Sequence, residues 1–202
     1  RELPDLHIAC TGIGPQSTQE QWVKLAEESG VPMPTVGREA IKNGLLNLHR
    51  LFSQAPTLGS LINPAELPGD LIAADYETIQ PYLSAAMSAE TRDYDAHERA
   101  VAAAGMVKAV ELLASEYTLV ITNVPYLGRK SHDEILKSFI DKNHKDARKD
   151  LATVVISRAM EWLAANGSIA VVTRENWLFL TGYRKLRERY LRRRTWNLVA
   201  RL

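Results

Sequence analysis

The sequence predicts an α/β protein: an incomplete parallel sheet preceded by a helical N-terminal portion. Three runs carry this reading. Tyr117-Thr118-Leu119-Val120-Ile121-Thr122 is β-rich and nearly all apolar, Leu151 to Leu163 is a strong apolar helix closed by Asn166-Gly167, and Ser168 to Thr173 (SIAVVT) is a second apolar β-rich run. Apolar side chains at successive positions fit strands covered on both faces, as parallel sheets require. Strand, helix and strand in that order predict a right-handed parallel crossover.

The remaining elements follow in chain order. Leu6 to Cys10 alternates weakly and reads as a short strand, ended by Gly12 and Gly14. Gln19 to Glu28 reads as a helix with Ser17 or Thr18 as N-cap and Glu20 in its first turn, stopped by Ser29-Gly30-Val31-Pro32. A second helix, Arg38 to Ser53, carries Ile41, Leu45, Leu46, Leu48, Leu51 and Phe52 on a broad apolar stripe. Pro56, Gly59, Pro64, Pro68 and Gly69 argue against long regular elements before Glu77. Asp95 to Ser115 is Ala-rich and helical by propensity. After the strand at Tyr117, Asp133 to Ile140 reads as a helix, Thr181 to Arg193 as a basic helix, and Trp196 to Leu202 as the start of a further strand. Two regions result: 1–116, mainly helical or irregular, and 117–202, the α/β part.

Bulk properties exclude several classes. At 202 residues, 46% of them hydrophobic and 24% charged, the chain can bury one sizeable core. No run approaches the roughly 18–20 apolar residues of a membrane span, so no membrane partner is expected. Arg1 to Asp5 lacks a signal-peptide pattern, and the compartment reads as cytoplasmic. Position 1 is not Met, so the chain reads as starting inside a longer gene product. The single cysteine, Cys10, excludes an internal disulfide and a CxxC metal site and reads as a buried packing residue. His7, His49, His97, His132 and His144 are scattered without ligand spacing, so no metal is expected.

The net charge of +1 conceals an asymmetry. Glu66 to Glu116 holds ten acidic and three basic residues, whereas Arg184 to Arg201 holds eight basic residues against Glu188 alone. Such a basic end suits an anionic partner, and a solvated helix face is the alternative.

Asn123-Val124-Pro125-Tyr126 follows the apolar strand directly. Ligands of open α/β sheets bind beyond the carboxyl ends of strands. Pro125 restricts Val124 to extended conformations, so the turn is stiff. It can hold an amide side chain, a free carbonyl and an aromatic face in fixed relation. Methylating the exocyclic amine of adenine needs that set. Its lone pair is delocalised into the ring, and two acceptors pulling on the two N–H groups favour the pyramidal, nucleophilic form. An aromatic face holds a flipped base by stacking, worth about 1–3 kcal/mol. Asn123 then supplies one acceptor, the Val124 carbonyl the other, and Tyr126 the platform. The plain alternative is a strand-to-loop turn with a surface tyrosine.

From Tyr117 to about Leu202 the chain resembles amino-methyltransferases with an Asn-Pro-Pro-Tyr motif, above all the large adenine-specific enzymes of type IIG restriction-modification and BREX phage-defence systems. The text that carries the resemblance is VITNVPYLGRK followed by KDLATVVISRAMEWLAANGSIAVVTRENWLFLTGYRKLRERYL, with GSLI (Gly59 to Ile62) and GDLIAADYETI (Gly69 to Ile79) as weaker matches. The resemblance implies a Rossmann-like S-adenosylmethionine-dependent methyltransferase sheet, incomplete here, acting on double-stranded DNA with restriction or phage-defence partners. It gives Asn123, Val124, Pro125 and Tyr126 the catalytic motif roles, and Ser60, Leu61, Asn123 and Pro125 contacts to the cofactor. Arg129, Lys130, Arg192, Arg193 and Arg194 are the candidate nucleic-acid contacts. The family's second motif position is usually proline and here is Val124; Val155 stands where the family often has an aromatic residue near the cofactor.

The Gly-rich cofactor turn of that class has a poor counterpart here. Ala9-Cys10-Thr11-Gly12-Ile13-Gly14 lacks the acidic neighbour, and Pro15 follows. The cofactor motif is therefore expected upstream of Arg1. Asp150 reads as a helix N-cap, and Trp177 and Phe179 either border the pocket or pack in the core. Two other functions stay open: a DNA-binding or assembly fragment without activity, and a methyltransferase acting on RNA guanine or a protein glutamine amide.

Overall fold

The computed structural model describes residues 7–15, 18–27, 29, 31–32, 37–64, 81–82, 85 and 94–200. The chain divides into two units, residues 1–115 and 116–202.

The first unit is helical. Thr18 caps α1 (Gln19–Glu27): its hydroxyl accepts from the Gln21 N–H at 3.4 Å, and its own N–H donates to Gln21 Oε1 at 2.9 Å. This reciprocal pair is a capping box built on Gln21; Ser17 lies outside the described residues. Trp22 is buried edge-on against His49, with ring centroids 5.6 Å apart. Helix α2 (Arg38–Phe52) begins at Gly37, whose φ of 103° is left-handed and suits glycine. Its Ile41, Leu45, Leu48 and Phe52 are buried, as their spacing predicts. A short α3 (Ala55–Leu58) and a 3-10 turn (Gly59–Leu61) follow. Helix α4 (Tyr94–Ala114) packs on α1 and α2 and brings Ala103, Met106 and Val110 into the core.

The expected strand at Leu6 to Cys10 is not there: residues 7–10 form no strand, and Leu6 lies outside the described residues. A weakly alternating run needs a neighbour to take its backbone hydrogen bonds, and none pairs with it among the described residues. Cys10 is accordingly exposed rather than buried. The segment Gly69 to Ile79 lies outside the described residues.

The second unit holds two parallel strands, β1 (Tyr117–Asn123) and β2 (Leu163–Val172). Between them run α5 (Glu134–Asn143), α6 (Leu151–Ala159) and 3-10 turns at 129–131, 145–147 and 160–162. Asp133 caps α5 by accepting from the Leu136 N–H at 2.7 Å. After β2 come two further 3-10 turns and α7 (Arg184–Arg193). Leu136, Ile140, Val154, Ile156, Leu186 and Tyr190 form the buried apolar centre.

Four expectations change here. The apolar helix ends at Ala159, not Leu163, because Leu163 already pairs with Tyr117. Asn166, at φ 63°, and Gly167 lie within the strand, where the ladder is irregular, instead of closing the helix. Strand pairing here overrides the helix propensity of Leu163-Ala164-Ala165, and Met160–Trp162 is a 3-10 turn. The strands are not covered on both faces: Leu119 and Ile121 are 55% and 74% exposed. The described sheet has two strands only and is not a complete Rossmann-like sheet. Residues 196–200 form no strand; Trp196 rests instead on Trp177, at 6.0 Å between centroids. No helix among the described residues is long and apolar enough to cross a membrane.

Candidate active site

The register of β1 and β2 positions the motif. Asn123 is the last residue of β1 and stands opposite Val172, the last of β2. The next residue continues the attachment, as the Val124 N–H donates to the Val172 carbonyl at 3.3 Å. A proline at position 124 would lack that donor. The Val124 side chain is buried, whereas Asn123, Pro125 and Tyr126 face outward. The Asn123 side chain makes no hydrogen bond to another described residue.

The downstream end is anchored as firmly. The Leu127 carbonyl accepts from the Leu151 N–H at 2.8 Å and from His132 Nε2 at 2.9 Å, which makes Nε2 the protonated ring nitrogen. Gly128 bridges Asp150, and the Arg129 N–H donates to the Lys149 carbonyl at 3.0 Å. Asp150 also caps α6, accepting from the Ala152 N–H at 2.9 Å. One acidic residue therefore begins the helix and borders the motif loop. We expect Asp150→Ala to cost about 1 kcal/mol through the lost cap, read as a lower midpoint in chemical denaturation; an unchanged midpoint would refute the capping role.

Opposite Tyr126 stands a residue that its sequence context alone did not single out. The Arg174 guanidinium lies over the Tyr126 ring, 4.8 Å from its centroid. The available signal was its place just past the end of the second strand, the position that also marks Asn123 after the first.

The other sequence candidates are dispersed. Arg129 is engaged, with Nη2 2.6 Å from Asp141 Oδ2, and this hydrogen bond holds the Asp141 carboxyl below the usual carboxylate range. Lys130, Arg192, Arg193 and Arg194 are exposed. Trp177 packs in the core, edge-on to Tyr190, whose hydroxyl burial pushes up in pKa; Phe179 is exposed. In the first unit, Ser60 shares a 3.0 Å hydrogen bond with Thr11, and Leu61 is buried. Gly14 is a packing glycine: a Cβ there would lie 3.1 Å from the Phe52 carbonyl and 3.2 Å from the Pro56 ring. The Gly12-Ile13-Gly14 turn has no strand before it among the described residues, and Gly14 is pressed on Phe52. Among the described residues no group of His, Cys, Asp and Glu could hold a metal.

Residues 46–200 match the Eco57I restriction-modification methylase family. The chain belongs to that family. It is 31% identical over 158 residues to the "Adenine-specific methyltransferase BrxX" of Escherichia coli O9:H4 (strain HS), a match covering 78% of this chain and 13% of that protein. It is 32% identical over 84 residues to the "Adenine-specific methyltransferase PglX" of Lacticaseibacillus casei (strain Zhang), covering 42% of this chain and 7% of that protein. The chain thus spans a small part of the length of these relatives. The Eco57I-family segment takes in Ser60, Leu61, Asn123 to Tyr126, Arg174 and all of α7, while residues 7–15 precede it.

Proposed function

We propose that this chain carries the target-amine clamp of an N6-adenine DNA methyltransferase, within a restriction-modification or phage-defence protein that uses S-adenosylmethionine. The observation that carries the reading is the double anchoring of Asn123 to Tyr126 at the carboxyl end of β1, by Val172 upstream and by Leu151 and His132 downstream. A fixed turn can present the Asn123 amide oxygen and the Val124 carbonyl as two preorganised acceptors. Acceptors that need no reorganisation favour the developing charge on the attacking amine. Tyr126 stacks on the extruded base and Pro125 keeps the turn rigid.

When bound, S-adenosylmethionine supplies an electrophilic methyl group. Asn123 and Pro125 would border it at the strand end.

The test is methyl transfer from labelled S-adenosylmethionine to adenine-containing duplex DNA by the full-length gene product that contains this chain. Transfer to adenine N6 is expected. Transfer to RNA guanine or a glutamine amide instead, or DNA binding without transfer, would overturn the assignment.

Lys130 and Arg192 to Arg194 are proposed phosphate contacts, with Arg129 joining only by exchanging Asp141 for phosphate. Replacing Arg192, Arg193 and Arg194 together by alanine should flatten the salt dependence of duplex binding. The slope of log K against log salt should fall by about 0.9 for each phosphate no longer neutralised. Fluorescence anisotropy across a salt series reads it, and an unchanged slope would remove these arginines from the interface.

A further inference from the structure

We infer that Arg174 is a positioning residue for the Tyr126 platform: its guanidinium backs one face of the ring, so that the other face receives the extruded adenine. The inference rests on the clamp reading above. The two residues are 48 positions apart in the chain and meet because the strand register brings them together. Asn123 and Val172 end their strands side by side; Tyr126 lies three residues past the first and Arg174 two past the second. Arg174 leaves β2 in extended conformation, at φ −66° and ψ 145°, which carries its side chain onward from the strand end. The cation lies 4.8 Å from the ring centroid, within the range of a cation–π contact.

Arg174 makes no ion pair among the described residues, so the ring is its partner there. A cation held on one face limits rocking of the tyrosine and leaves 41% of the residue exposed. A base stacked on the outer face then meets a ring whose motion is already limited from behind. A contact of this kind at an exposed site corresponds to about two- to fivefold in an equilibrium or rate constant.

The experiment is a double-mutant cycle on the full-length gene product: Arg174→Ala in backgrounds that keep Tyr126, carry Tyr126→Phe, or carry Tyr126→Ala. Two quantities are read: the single-turnover methyl-transfer rate, and the emission of 2-aminopurine placed at the target position of a DNA duplex. With Tyr126 or Tyr126→Phe, Arg174→Ala should slow transfer about two- to fivefold and raise emission as stacking loosens. Arg174→Lys should recover part of both. With Tyr126→Ala, Arg174→Ala should change neither further. An equal effect in all three backgrounds, accompanied by a shallower salt slope of binding, would make Arg174 a phosphate contact and overturn the inference. So would an Arg174→Ala protein indistinguishable from wild type. If the wild-type gene product transfers no methyl group to adenine, the clamp reading itself fails, a result separate from either of these.

Discussion

Asn123→Ala should lower methyl transfer to adenine by about 10²–10³-fold, the usual loss when one preorganised polar contact to developing charge is removed. The fold should survive. Asn123 is exposed at the end of β1, its side chain makes no hydrogen bond to another described residue, and its ladder contacts to Val172 are main-chain. Asn123→Asp keeps an acceptor oxygen and should retain more activity than the alanine variant. Labelled-methyl transfer by the full-length gene product, with circular dichroism on the same samples, separates chemistry from folding. Activity within a factor of a few of wild type in the alanine variant would show that the amine is not held by this side chain.

Gly167→Ala should destabilise the second unit by about 1–3 kcal/mol, in the range of overpacked interiors. A Cβ at Gly167 would sit 2.8 Å from the Tyr117 carbonyl oxygen and 3.0 Å from that of Ala164. Both are main-chain atoms, so strands must shift rather than a side chain swing away. The shift falls where the β1–β2 ladder is already irregular, between Tyr117 and Leu119. A change of register there would also move Asn123 relative to Val172, so transfer should weaken along with stability. Asn166→Gly is the control, since φ 63° suits glycine, and it should be nearly neutral. Chemical denaturation compares the variants; a Gly167→Ala protein as stable as wild type would show that the irregularity absorbs a side chain freely.

The readable parts of the fold were those with local causes. The apolar stripe of α2, the Ala-rich propensity of α4, the Asp150 cap and the β-rich run of β1 are each written within a few turns of chain; α2, α4 and β1 form close to their expected bounds, and the cap marks where α6 starts. The family likewise was legible, because many features stand in order along residues 117–202. Errors came where a distant partner decides. Leu163 could extend a helix or begin a strand, and pairing with Tyr117 chose the strand. Leu6 to Cys10 had the alternation of a strand, but residues 7–10 pair with no strand among the described residues. Trp196 had the residue type of a strand but found Trp177 instead.

The sequence by itself determined that Asn123 to Tyr126 would lie at the end of an apolar strand, since strand propensity and the stiffening by Pro125 are local properties. Only the tertiary structure decided what holds that turn. Val172, Leu151 and His132 reach it through hydrogen bonds from elsewhere in the chain, and Arg174 reaches Tyr126 across 48 residues. Such contacts depend on strand register, and register is a relation between segments that neither segment's own residues specify.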